Sequence, residues 1–210
     1  MTKIKLCGLS RICDIDAANK LMPEYIGFVF AQNSRRFVSP EQAEKLKKHL
    51  DPKIKAVGVF VNEAPENIVN LLNKDIIDAA QLHGNEDEDY IRALKLLTDK
   101  MIIKAFKIKG DNDVSEICRS FADFVLLDSG AGTGSVFDWS LIKGVKRPYF
   151  LAGGLGCGNI KAALEALAPY AVDVSSGIET DGFKDERKMT EFVNTVRGHK
   201  VRERKSEDEQ

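Results

Sequence analysis

Apolar and polar positions alternate along this chain with two different periods. Short runs rich in β-branched and aromatic residues fall at 4–7, 25–30, 55–60, 78–82, 101–106, 124–128, 148–151 and 171–174, each the length of a buried strand. Between them apolar residues recur at helical spacing, as in Ala43, Leu46 and Leu50, in Ile68, Val69, Leu71 and Leu72, or in Ile91, Leu94 and Leu97. Ser39-Pro40-Glu41-Gln42 marks one helix start, with a capping Ser, Pro at the first helical position and Gln three residues past the cap. Strands that alternate with helices imply a parallel sheet, because a parallel pair needs a crossover. Eight such units, spaced about 24 residues apart, favour closure into a single (β/α)8 TIM barrel over an open doubly wound sheet. The barrel is expected to occupy residues 1–199. Residues 200–210 are nearly all charged or polar, have little to bury and read as a flexible solvated tail.

Composition narrows the partners. Lys plus Arg is 31 and Asp plus Glu is 32, so the net charge of -1 provides no overall basic field for nucleic acid or an anionic membrane, and neither is expected. A hydrophobic fraction of 43% with 30% charged residues belongs to an ordinary globular chain and argues against disorder or a fibrous class. No apolar run approaches the roughly 20 residues that span a bilayer. The first residues alternate as a strand does and form no signal core, so a cytoplasmic location is expected. Cys7, Cys13, Cys118 and Cys157 include no C-x-x-C pair, and His49, His83 and His199 lie far apart without ligand spacing to a cysteine. Neither disulfides nor a metal site is expected.

In such a barrel, catalytic groups sit at the C-terminal ends of the strands and in the loops that follow. Read in order, those ends carry Lys5-Leu6-Cys7-Gly8, Ser34-Arg35-Arg36-Phe37, Gln81-Leu82-His83-Gly84 and Leu127-Asp128-Ser129-Gly130. The seventh and eighth lead into Leu151-Ala152-Gly153-Gly154-Leu155 and Asp173-Val174-Ser175-Ser176-Gly177-Ile178-Glu179. Glycine-bearing turns at these two places can offer backbone N–H groups to a phosphate.

Taken together, these segments resemble the phosphoribosylanthranilate isomerase family. The likeness runs from residue 3 to about residue 197. It also takes in Gly27-Phe28-Val29-Phe30, Val57-Gly58-Val59-Phe60, and Gly132-Thr133-Gly134 with Phe137-Asp138-Trp139. Gly156-Cys157-Gly158 stands where the family more often has a Pro-bearing link, and Ala131 where it commonly has Gly. The resemblance implies an enzyme of tryptophan biosynthesis that isomerises N-(5'-phosphoribosyl)anthranilate, a small-molecule phosphoribosyl substrate. It implies Cys7 as general base, Asp128 as general acid and Arg36 as the ligand for the anthranilate carboxylate. Gly153, Gly154, Ser175, Ser176 and Gly177 would hold the phosphate. The oligomeric state is left open.

An Amadori rearrangement requires residues of these types on its own account. An acid protonates the furanose ring oxygen so that the aminoaldose opens to a Schiff base, and a base removes the C2' proton. A carboxyl group serves as the acid if its pKa is raised, and a thiol as the base if positive charge lowers its own. Lys5, two residues before Cys7 and on the same strand face, is either that positive neighbour or half of a structural charge pair. The reaction needs no cofactor. Ordinary readings stand beside these: Cys7 as a small buried hydrophobe, Asp128 as a turn or cap, Arg35 and Arg36 as solvated loop charges, His83 as a lining residue of the barrel mouth. Cys13, Cys118 and Cys157 read as structural. Two alternatives remain open. A related phosphoribosyl enzyme would call for an Asp pair or a Lys and Glu set, and a non-catalytic phosphate-binding barrel would not need Cys7 and Asp128 together.

Overall fold

The computed structural model describes residues 1–108, 111–128, 142 and 144–199, with the side chains of 111–113 left aside. Strands β1 (Lys3–Cys7), β2 (Tyr25–Val29), β3 (Lys55–Phe60), β4 (Ala79–Leu82), β5 (Met101–Lys107), β6 (Phe124–Asp128), β7 (Tyr149–Ala152) and β8 (Ala171–Val174) form a closed parallel barrel in sequence order. The ring closes between its first and last members, with Lys3 opposite Ala171 and Leu6 opposite Val174. Helices α1 (Ile12–Leu21), α2 (Pro40–His49), α3 (Pro65–Asn73), α4 (Glu88–Leu97) and α5 (Asp111–Arg119) follow the first five strands; α6 (Ile160–Ala166) and α7 (Glu186–Gly198) follow β7 and β8. The expected (β/α)8 barrel is the observed fold. The expected link after β6, with Gly132-Thr133-Gly134 and Phe137-Asp138-Trp139, lies outside the described residues, as do residues 200–210.

The boundaries differ from the expected ones for local reasons. The seventh strand runs Tyr149–Ala152, one residue later than 148–151, because Pro148 has no N–H to give to the ladder. β4 begins at Ala79, one residue later than expected; at Asp78 it is the side-chain carboxylate that accepts from Ala56 N, at 2.7 Å, while also pairing with Lys47. Ser39 caps α2 as expected by accepting from Gln42 N at 3.2 Å, but the Gln42 side chain donates instead to the Ser10 carbonyl at 2.8 Å. Ala43, Leu46, Leu50, Ile68, Leu71, Leu72, Ile91 and Leu94 are buried between helices and barrel. Leu97 is 51% exposed, since two successive steps of three residues carry it about 120° round α4 from Ile91.

Side chains at alternate positions fill the barrel, as the period of a strand requires. Tyr25, Val57, Ile103, Leu126 and Phe150 pack together in its apolar interior, while Cys7, Val29 and Val59 form a smaller cluster. Two elements have no counterpart among the eight expected units: β9 (Glu179–Thr180) and β10 (Phe183–Lys184), an antiparallel hairpin between β8 and α7. Its turn residues Asp181 and Gly182 have φ of 52° and 83°, the Asp-Gly chemistry of a tight hairpin.

No helix among the described residues is long and apolar enough to cross a membrane.

Candidate active site

A cleft of about 540 Å³ holds Cys7, Arg36, Asp128, Gly153, Gly154, Ser175 and Ser176 together. Gly177 does not line it; it borders a neighbouring cavity of about 410 Å³ with Gly154, Gly156 and Cys157. Gly177 sits where the loops after β7 and β8 touch, in a parallel bridge with Gly156. A β-carbon there would lie 1.9 Å from the Leu155 carbonyl oxygen, so only glycine lets the two loops meet.

Cys7 ends β1 and is buried at the base of the cleft. Two residues below it on the same face, Lys5 is wholly buried and donates to Asp173 Oδ1 at 3.0 Å across the β1·β8 seam. Both readings of Lys5 therefore hold: it forms a buried charge pair and it acts on Cys7. Burial works against the Lys5 charge, but Asp173 and Cys7 more than offset it and push its pKa up. The thiol departs from expectation. Burial, with the nearby Asp173 carboxylate, raises the Cys7 pKa by more than the Lys5 and Lys184 ammonium groups lower it, so positive charge moderates the rise without reversing it.

Asp128 ends β6, three strands from β1 round the ring of eight. Its Oδ2 lies 3.4 Å from His83 Nε2, and His83 Nδ1 is 2.9 Å from Gln81 Nε2. His83 bridges the Gln81 amide and the Asp128 carboxyl group. His83 is thus more than a lining residue of the mouth: it is the imidazole beside the candidate acid. The loop that carries it is held from below by Lys104, which donates to Gly84 O and Glu86 Oε2, both at 2.8 Å. Glu86 in turn accepts from Asn62 N and Gly84 N at 2.7 and 2.8 Å.

Arg36 reaches the cleft from the loop after β2. Its Nε and Nη2 donate to Glu179 Oε1 and Oε2 at 2.6 and 3.0 Å. Glu179 also accepts from Arg35 Nη2 at 2.7 Å and from the buried Lys184 at 2.6 Å. The Arg36 stem crosses above Gly8, whose φ is +79° and where a β-carbon would stand 2.4 Å from Arg36 Cδ. Ser175 Oγ donates to Cys7 O at 3.1 Å and accepts from Lys184 at 3.3 Å, so its hydroxyl ties β1 to the loop after β8. Glu179 enters the sequence analysis only as the last residue of the motif after the eighth strand, with no role, and Lys184 not at all; the Asp181-Gly182 pair between them is the local signal of the hairpin that carries both.

Burial pushes the Glu179 carboxyl up, yet hydrogen bonds from Arg36 and Lys184 outweigh it and hold the group at about 2 against an ordinary 4.5. A depressed carboxylate stabilises the fold fully above its unfolded pKa and loses that contribution as pH falls through the folded one. Urea titrations are therefore expected to show a loss on the order of 3 kcal/mol between pH 4.5 and 2, absent in Glu179→Gln. Equal pH dependence in both proteins would show that the loss comes from other groups.

Comparison with known proteins agrees with this architecture. The family model described as N-(5'phosphoribosyl)anthranilate (PRA) isomerase matches residues 4–195. A protein of that name from Endomicrobium trichonymphae is 45% identical over 202 residues, covering 94% of this chain and 99% of its own. Another, from Thermoanaerobacter sp. (strain X514), is 44% identical with the same coverage. The crystal structure of phosphoribosyl anthranilate isomerase from Thermotoga maritima superposes with a TM-score of 0.85 at 33% identity, covering 95% of this chain and all of that one. A phosphoribosyl anthranilate isomerase solved in complex with reduced 1-(o-carboxyphenylamino)-1-deoxyribulose 5-phosphate gives a TM-score of 0.83, also at 33% identity. The match extends over all eight strands and over the ends that carry Cys7, Arg36 and Asp128, so this chain belongs to the phosphoribosylanthranilate isomerase family.

Proposed function

We propose that the chain converts N-(5'-phosphoribosyl)anthranilate to 1-(2-carboxyphenylamino)-1-deoxyribulose 5-phosphate in tryptophan biosynthesis, an aldose–ketose isomerisation in which oxidation and reduction occur within one molecule. The observation that carries this reading is the convergence of Cys7 and Asp128, from strands three apart, on one cleft that also holds Arg36 and the loops after β7 and β8.

Asp128 gives its proton to the ring oxygen. The C1'–O bond breaks as the nitrogen lone pair forms the C1'=N bond, leaving a cationic Schiff base. The Cys7 thiolate takes the C2' proton, and the released electron pair forms the C1'=C2' bond and neutralises the nitrogen. The enol hydroxyl then loses its proton while C1' gains one, giving the ketose, and the proton held by Cys7 returns through solvent to the Asp128 carboxylate, which resets both groups. C2' is oxidised and C1' reduced, so no external oxidant, reductant or cofactor enters. The cationic Schiff base both acidifies C2' and adds positive charge beside Cys7, which favours the thiolate at the step that uses it.

Gly153, Gly154, Ser175 and Ser176 take the phosphate, chiefly through backbone N–H groups because the Ser175 hydroxyl is engaged, and Gly177 brings the two loops into register. Arg36 takes the carboxylate on the arylamine. The free thiols, including the exposed Cys13 and Cys118, suit a reducing compartment and support a cytoplasmic location. No nucleic-acid or membrane partner is invoked. The test is loss of phosphoribosylanthranilate fluorescence, with the labile substrate generated in place; a folded protein without turnover would overturn the reading.

Arg36→Met is expected to raise KM more than it lowers kcat, since it removes a contact remote from both proton transfers. Steady-state kinetics would place Arg36 in the chemistry instead if kcat fell steeply at unchanged KM.

A further inference from the structure

Glu179 is a nearly buried carboxylate on a hairpin that the proton-transfer scheme does not use, yet three cationic side chains converge on it. Resting on the reading of Arg36 as the carboxylate ligand, we infer that Glu179 is the positioning residue for recognition of the substrate's aryl carboxylate, acting through Arg36.

The geometry of the guanidinium carries the inference. Of its five N–H donors, Glu179 takes the edge formed by Nε and Nη2. The opposite edge, formed by Nη1 and the second Nη2 hydrogen, has no acceptor among the described residues, and Arg36 lines the cleft. Holding one edge fixes the plane of the fork, so the other edge is ready to meet a second carboxylate in a bidentate pair. A freely rotating arginine would lose rotamer freedom on binding; this one has lost it already.

Charge balance permits the second anion. Arg35, Arg36 and Lys184 supply three positive charges to the one carboxylate they share, and of the three Arg36 is the one that lines the cleft, so Glu179 does not by itself neutralise the cluster. Lys184 also fixes the distance to the chemistry: it donates to Glu179, to Ser175 O at 2.9 Å and to Ser175 Oγ, whose hydroxyl is bound to Cys7 O. Glu179 thereby links the carboxylate anchor to the strand that bears the base, through one buried side chain.

The test compares two ligands on Glu179→Gln: the reduced product analogue, which keeps the aryl carboxylate, and its anilino counterpart, which lacks it. We expect affinity for the carboxylated ligand to fall about 10-fold, within the range of couplings between contacting groups, and affinity for the anilino ligand to stay within about 2-fold. KM should rise while kcat is largely kept, and in an Arg36→Met background Glu179→Gln should add nothing. Circular dichroism checks the fold. Because the change strands Lys184 without its carboxylate, the double variant Glu179→Gln/Lys184→Met serves as a second sample and should show the same carboxylate-specific loss. Equal losses for the two ligands, an unchanged affinity, or full additivity with Arg36→Met would overturn the inference. If Arg36→Met itself fails to distinguish the two ligands, the reading of Arg36 fails first, and that outcome is separable from the others.

Discussion

Cys7→Ala and Asp128→Asn are each expected to lower kcat by at least about 100-fold, the lower end of what general acid–base groups contribute. In the proposed scheme the two residues serve different proton transfers on one sugar, so neither can stand in for the other. Each substitution is small and, for Asp128, nearly isosteric, so the barrel should persist and circular dichroism should be unchanged. The KM of each variant should stay near that of the parent, because Arg36 and the loops proposed to hold the phosphate are untouched. A folded variant with near-normal turnover in the fluorescence assay would remove that residue from its role, and if both turned over normally the acid–base scheme would be wrong.

Lys5→Met is expected to cost about 3–5 kcal/mol of stability, the penalty for removing one partner of a buried ion pair and leaving the other charge uncompensated. Lys5 is fully buried and Asp173 is 9% exposed, so water cannot readily take the place of the lost ammonium group. The double variant Lys5→Met/Asp173→Leu should recover most of the loss, since a buried pair replaced by apolar groups of similar volume is often neutral. Urea denaturation of the parent and the two variants measures both quantities. A loss below about 1 kcal/mol for Lys5→Met would mean that Asp173 finds another partner or takes up a proton.

Much of this molecule is legible in its sequence. The strands were readable because burial on both faces gives short continuous apolar runs, and the helices because their apolar residues keep to one stripe. Cys7 and Asp128 stand out as polar or reactive groups that close such runs. What was not legible depends on chain segments that meet only in the fold. Glu179 looks like an ordinary end to Val174-Ser175-Ser176-Gly177-Ile178 until the hairpin places it against Arg36, 143 residues earlier. His83 was visible as a residue of the barrel mouth, but its partner lies on β6, two strands away round the ring. Lys104 occupies an apolar strand at a position facing away from the barrel axis, and only the loop after β4 supplies the carboxylate and carbonyl that permit its burial. Leu97 misled for the opposite reason: a spacing of three, repeated, drifts off the face it seems to continue.

Closure of the ring between β1 and β8 also has a temporal meaning. Lys5 and Asp173 are 168 residues apart, so β1 waits for β8 to be made before its buried ammonium group is neutralised. At translation speeds of about 5–20 residues per second, that interval is on the order of 10–30 s. Throughout it, the Cys7 thiol has no complete pocket around it, and the nascent chain exposes an unpaired sheet edge. The residue proposed as the base is therefore enclosed only once the last of the eight strands is in place.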